Sequence, residues 1–350
     1  MLSATSIKKL SCTCIPHLRC YATVSSFLVN NSIGKPPVPP SSTNPSHTLS
    51  QLDQTVLASL QRTAHRPRYS LFDLIGQYIN NSGRILDVSL PYESRPVSRR
   101  KVALEENDND IVLVTNCIRD EDTGEHKITV SSGFVLEVPT LPGSMVVTCA
   151  HTLEEIRRTP LALKHLREPS LRSVLSGMFV VTGTSSPIFH TVSSVSSTLP
   201  RSDILLLTCD KLPVRTLPVS PYPAPPQTTI HVHLAVHDLP HGEYSQSDEW
   251  RPGVGGTWRR WGRGEVKGYR DLAGRETKPG TYDSLSHMLF APLPTPGSSG
   301  GPIVDEESGA VVGISLGSRM DNRIEGIRGW GVPSEAIYEM FSLPGLEGKM

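Results

Sequence analysis

From Ile111 onward the chain consists of short apolar runs separated by turn residues. "IVLVTNCI", "HKITVSSGFVLEV", "SMVVTCA", "GMFVVTG" and "DILLLTC" are rich in Val, Ile, Leu and Thr, and each predicts a strand. "KLPVRTLPVSPYPAPPQ" (211–227) then interrupts with six prolines and reads as an extended connector. Strand-like runs resume with "TTIHVHLAV", "RGEVKGYR", "SLSHMLFA", "GPIVDE" and "AVVGISLG". Helical spacing is confined to two places. In "SLFDLIGQYI", Ser70 and Asp73 form a capping-box pattern, and Leu71, Leu74, Ile75 and Tyr78 share one face. In "PSEAIYEMF", Pro333 suits a first helical turn, and Ile337, Met340 and Phe341 share a face. Two groups of strands on either side of a connector predict an all-β chain of two packed barrels with a short C-terminal helix.

Composition adds limits. At 37% hydrophobic, the 350 residues can bury a core. Thirty prolines and 28 glycines suit a turn-rich β fold. The 34 basic residues balance the 34 acidic ones, so no general attraction to nucleic acid or to an anionic membrane is expected. No apolar run reaches the roughly 18 residues of a membrane-spanning helix, so no integral membrane segment is expected.

The charge is uneven along the chain. No acid precedes Asp53, while Lys8, Lys9, Arg19 and Lys35 do. The Ser-rich, basic, acid-free opening has the composition of an organelle transit peptide. "RCYAT" (19–23) has the form of a mitochondrial cleavage site, which puts the transit peptide at 1–21 and the protein in the mitochondrion; the alternative is an ordinary N-terminus on a cytoplasmic protein. Residues 22–65, with "GKPPVPPSSTNPS", read as a disordered Pro/Ser-rich linker. Residues 66–108 read as a helix-and-loop extension ending in the charged "SRRKVALEENDND", 109–215 as the first barrel and 216–345 as the second barrel with its helix. Beyond residue 21 the cysteines are Cys117, Cys149 and Cys209, an odd number at irregular spacing, which is neither a disulfide framework nor a zinc motif.

One stretch asks for chemistry. "PGSSGGPIV" (296–304) sets small residues in a row between a proline and an apolar pair. Acyl transfer by a serine needs a histidine base, an acid to orient it, and backbone N–H groups facing the developing oxyanion. A serine whose own N–H and that of a glycine two residues earlier serve as those donors needs a tight, uncrowded turn. Gly297 and Ser299 offer that pair, and Gly300 and Gly301 let the next strand pass close behind.

"GSSGGP" resembles the Gly-x-Ser-Gly-Gly-Pro signature of trypsin-like, chymotrypsin-fold serine peptidases (the PA clan). "VVTCAHTL" is similar to that family's Thr-Ala-x-His strand end and gives His151; "RSDILLLTC" is similar to its Asp-Ile-Ala-Leu-Leu strand and gives Asp203. The three motifs stand in the family's order, with "SGFVLEV" before them and "VVGISLG" and "GWGVPSEAI" after, so the resemblance covers roughly 109–342. It implies two six-stranded barrels and a peptide-hydrolysing triad: His151 as base, Asp203 as its orienter, Ser299 as nucleophile, with Gly297 and Ser299 as the oxyanion hole. It also implies protein or peptide substrates and no cofactor. The family's substrate pocket maps to Leu293 at its base and to walls from "SLGS" and "GWGV", with Ser315 and Trp330. No acid lies in "MLFAPLPTPGSS", so apolar side chains are expected there.

The departures are informative. Ser298 stands where secreted members carry an aspartate that binds a freshly cut N-terminus, so zymogen activation of that kind is not expected. "PGSSGGP" and "GVPSEAI" look most like the intracellular Deg/HtrA branch, but with only a few residues after Phe341 no PDZ domain is expected. The rival reading is a catalytically silent chymotrypsin-fold protein that binds other proteins. In "HVHLAVHDLPH", His231, His233, His237 and His241 invite a metal, but the run coincides with the first strand of the second barrel and lacks a carboxylate motif; no metal is expected. "WRRWGRG" (258–264) reads as an exposed insertion loop.

Overall fold

Six strands close into the first barrel: β1 (Ile111–Asp120), β2 (His126–Leu136), β3 (Ser144–Cys149), β4 (Val174–Thr182), β5 (Ile188–Leu199) and β6 (Ile204–Cys209). Their order is β1-β4-β5-β6-β3-β2, and the β1–β2 pairing closes the ring; the two-residue β7 (Thr216–Leu217) adds in parallel to β2. The computed structural model describes residues 50–63, 70–104, 110–139, 142–167, 174–237, 250–278 and 287–346. The expected transit peptide and the acid-free opening lie outside them.

The second barrel repeats the plan. Strands β8 (Thr229–Val236), β10 (Trp258–Arg270), β12 (His287–Ala291), β13 (Pro302–Asp305), β14 (Val311–Asn322) and β15 (Gly326–Pro333) run in the order β10-β12-β15-β14-β13-β8, closed by β10–β8. The short β9 (Arg251–Pro252) and β11 (Glu276–Thr277) pair with β10. These are the two six-stranded antiparallel barrels of a chymotrypsin-like fold.

Strands buried on both faces explain the unbroken apolar runs. In "ILLLTC", Leu205 and Leu207 join one cluster with Val112, Val146 and Val180, while Ile204 and Leu206 point the other way. That second cluster draws on both barrels, with Phe134 and Val147 from the first and Val304, Val311 and Ile314 from the second. It is the apolar seam beside which the site lies.

Helix α2 (Leu71–Asn80) starts as the capping pattern predicts: the Asp73 N–H donates to the Ser70 side chain, and Leu71, Leu74 and Ile75 are buried. Helix α1 (Gln51–Thr63) corrects the linker reading of 22–65 over those residues. Leu52, Val56, Leu57 and Leu60 fall on one helical face and pack on Leu113, Phe179 and Val181. At roughly 1.5–3 kcal/mol per fully buried large side chain, that stripe outweighs the polar residues between. Past α2 the chain straps both barrels: Gly83 N–H donates to Thr198 O in the first, and Leu86 N–H to Met340 O and Val102 N–H to Gly309 O in the second.

Helices α3 (His151–Arg157) and α4 (Pro160–Arg167) follow β3, and α5 (Glu335–Tyr338) is shorter than its sequence pattern. The i→i+3 bonds from Met340 N to Ile337 O and from Phe341 N to Tyr338 O tighten its end, yet Ile337, Met340 and Phe341 are all buried. "WRRWGRG" is not an exposed loop. It lies in β10, where Arg259 is buried and Trp261 packs edge-on against His233. No helix among the described residues is long and apolar enough to cross a membrane.

Candidate active site

Strand β3 ends at Cys149, and the chain turns through Ala150 into α3, so His151 stands at a strand-to-helix corner. Asp203 opens β6 on the neighbouring strand with φ of +56°, a left-handed conformation that aspartate tolerates better than most residues. The turn aims the carboxylate back at the corner. Its Oδ1 accepts the N–H groups of Ala150 (3.0 Å) and His151 (2.7 Å), and its Oδ2 meets His151 Nδ1 at 2.6 Å. Three contacts on one carboxylate fix both the imidazole ring and the backbone that carries it.

Ser299 lies in the turn between β12 and β13. Gly297 has φ of +101°, open to glycine and strained for other residues. Among the described residues, no acceptor takes the N–H of Gly297 or of Ser299. Two neighbouring donors without a partner in a tight turn are what an oxyanion requires. The first barrel braces this turn: Ser132 N–H donates to Ser299 O at 2.8 Å, and Ser132 Oγ donates to Gly297 O at 2.8 Å.

Ser299 and His151, the expected nucleophile and base, are not hydrogen-bonded to each other. Ser299 Oγ donates to Leu316 O at 3.0 Å, and His151 Nε2 lies 3.7 Å from the Cys149 sulfur. The Asp203 carboxylate stands behind the His151 imidazole, and no hydrogen bond joins Ser299 to His151 in this conformation. The Cys149 sulfur and the bond to Asp203 hold the His151 pKa well above its ordinary value, and burial opposes both.

The three residues assigned to the substrate pocket have distinct surroundings. Leu293 is about half exposed at 49%. Ser315 is fully buried, its hydroxyl has no partner among the described residues, and its backbone braces the Ser299 turn by accepting from Gly300 N–H (2.7 Å) and donating to Gly301 O (2.9 Å). Trp330 is sandwiched between His287, stacked at 4.4 Å, and the Arg319 guanidinium, 4.4 Å from its ring centre. Asp321, the first acid after "SLGS", is held by Arg270 through two bonds of 2.8 and 3.0 Å.

The histidine run separates into unlike residues. His231 Nε2 faces Glu306 at 3.1 Å, and Glu306 also takes Arg263. His233 is buried, neither ring nitrogen is hydrogen-bonded among the described residues, and burial, aided by Arg259, pushes its pKa down to about 3. His241 lies outside the described residues. Among the described residues no group of three or more His, Cys, Asp or Glu is placed to hold a metal. Sequence reasoning passed over Cys149, Thr295 and Leu316, and it read Ser132 only as part of a strand. Cys149 had one visible signal, its place two residues before His151.

Residues 131–314 match a family model described as a trypsin-like peptidase domain, a span that holds His151, Asp203 and Ser299. No curated protein matches the sequence. Similar solved structures include the Rv3671c protease from M. tuberculosis in its active form, at 18% identity over 73% of this chain and 89% of that one, TM-score 0.41. The MamO protease domain from Magnetospirillum magneticum has 14% identity over 67% and 97%, TM-score 0.39. Deg5 has 15% identity over 67% and 88%, TM-score 0.39.

Proposed function

Because the chain belongs to the family of trypsin-like peptidase domains, we propose that it is a serine endopeptidase acting through Ser299, His151 and Asp203. One observation carries the reading. A histidine oriented by a triply bonded carboxylate shares the molecule with a serine turn that has two free N–H donors. Ser299 Oγ would leave Leu316 O and give its proton to His151 Nε2 as it attacks the peptide carbonyl carbon. The tetrahedral oxyanion sits on the Gly297 and Ser299 N–H groups. Nε2–H then protonates the leaving amine, and water repeats the sequence on the acyl-enzyme. His151 must be neutral to begin, so that Nε2 can accept the proton.

A fluorophosphonate probe tests this. The wild-type chain is expected to label, and Ser299→Ala to lose the label entirely. One observation favours the rival reading of a silent binding scaffold: Ser299 is held by Leu316 O and not by His151. Equal, background-level labelling of both chains would select the scaffold.

The pocket reading, with Leu293, Ser315 and Trp330, supports cleavage after apolar residues. With Asp321 tied to Arg270, a buried lysine or arginine head would lack a counter-ion, at a cost of several kcal/mol. An aliphatic side chain gains roughly 1.5–3 kcal/mol on burial. Profiling on a mixed peptide library is expected to show apolar residues before the cut, and a dominant Arg or Lys would refute the pocket assignment.

The acid-free N-terminus supports a mitochondrial location with removal of residues 1–21. N-terminal sequencing of the native protein is expected to begin at or near Ala22, and an intact Met1 on a cytosolic protein would overturn this.

A further inference from the structure

Ser298 is fully buried, directly before the proposed nucleophile, and its hydroxyl is the centre of a closed ring of hydrogen bonds. Ala235 N–H, on β8, donates to Ser298 Oγ at 3.0 Å. Thr295 Oγ1 donates to Ala235 O at 2.7 Å, so its proton is committed there. The 2.8 Å contact between the two hydroxyls is therefore a donation from Ser298 to Thr295. Thr295 N–H fills the second acceptor site of Ser298 Oγ at 3.3 Å. The circuit runs from Ala235 N–H through two hydroxyls back to Ala235 C=O. Every donor in it has an acceptor.

We propose that this Thr295–Ser298 ring is the clamp that keeps the oxyanion turn in its working shape without a charged partner, with Thr295 and Ser298 as positioning residues. The inference rests on the serine peptidase reading. The ring pins both ends of the Thr295–Ser298 turn to β8, and Ser298 N–H adds a 3.0 Å bond to Thr295 O. Within the turn, the carbonyl of Gly297 is taken by Ser132, and that of Ser298 by Gly301 N–H at 2.9 Å. The Ser298 carbonyl belongs to the same peptide plane as the Ser299 N–H, so its bond fixes that donor's direction. Rotating the Pro296–Gly297 peptide away, which would withdraw the Gly297 N–H, has to happen between two anchored ends. An aspartate here would bring a charge into a fully buried position that needs a cation; the neutral ring needs none. The turn is thereby set when the chain folds, with no cleavage step to trigger it.

The test compares full-length wild type with Ser298→Ala, Thr295→Val and Thr295→Ser, reading the maximal inactivation rate and the half-saturation of a fluorophosphonate, and the melting temperature. Thr295→Val keeps the shape and removes the hydroxyl; Thr295→Ser keeps the hydroxyl. Ser298→Ala and Thr295→Val are expected to lower the maximal rate about ten- to a hundredfold, short of the ~10²–10³ for a whole oxyanion donor, with half-saturation little changed. Thr295→Ser is expected to restore most of the rate. If Ser298→Ala does not fold, the Thr295 pair carries the comparison. Wild-type rates in Thr295→Val, or equal losses in Thr295→Val and Thr295→Ser that follow melting temperature alone, would overturn the clamp while the peptidase reading stands. Absence of Ser299-dependent labelling in the wild type would remove the peptidase reading and the clamp with it.

Discussion

Asp203→Asn is expected to lower kcat/KM near neutral pH by about 10⁴, the scale of this replacement in a Ser-His-Asp triad, with the fold retained. The reason is a forced orientation. Oδ1 accepts two backbone N–H groups, from Ala150 and His151. In the variant the amide oxygen must stay there, because an NH₂ group would face two donors. The NH₂ is then aimed at His151 Nδ1, the atom that Oδ2 meets at 2.6 Å. Nδ1 has to accept, so the neutral ring carries its proton on Nε2, where it cannot take the proton of Ser299. KM is expected to change little, since the carboxylate faces the histidine and not the substrate. Fluorophosphonate labelling should fall in parallel, and thermal unfolding should show a folded chain. Activity within about tenfold of wild type would mean that Asp203 orients nothing the reaction needs.

The sequence made the strands legible where both faces are buried. "IVLVTNCI" and "ILLLTC" are β1 and β6, and all but one of their positions are buried. Strand β5, "IFHTVSSVSSTL", escaped notice. Serines fill it, and two bulges, at Val192/Ser194 and Val195/Ser197, break the alternation a strand reading relies on. Helix α1 was hidden by the Pro- and Ser-rich composition before it and by the polar residues between its four buried ones. At the site, the motifs located His151, Asp203 and Ser299, but not the contacts of their side chains. The partners of Ser298 could not be read off either. Half the ring is the backbone of Ala235, which has no side-chain signature and is brought to the turn only by the pairing of β8 with β13. Likewise Leu316 enters through its carbonyl, which any residue would supply.

Gly300→Ala is expected to cost several kcal/mol of stability, more than at a left-handed glycine with open space around it. Two penalties add. Gly300 has φ of +84°, where a side chain costs roughly 1–2 kcal/mol. A Cβ there would also collide with Ser132 O and lie 2.6 Å from Thr148 Oγ1 and 2.8 Å from Cys149 N. Those atoms belong to β2 and β3, which hold each other through four paired positions, so the first barrel cannot yield locally. The turn would have to retreat, stretching the Ser132–Ser299 and Ser132–Gly297 bonds that tie it to that barrel. Gly274 supplies the control: its φ is +81° and a Cβ there meets nothing within 4 Å, so Gly274→Ala pays the backbone term alone. Urea unfolding of both variants separates the two terms. Gly300→Ala should lose at least about 2 kcal/mol more than Gly274→Ala, together with its Ser299-dependent labelling. Equal losses would mean that the barrels can part at this point without cost. In that case the run of small residues would be no more than a loose turn, and not the place where the nucleophile's backbone is pressed against the strand that carries the histidine.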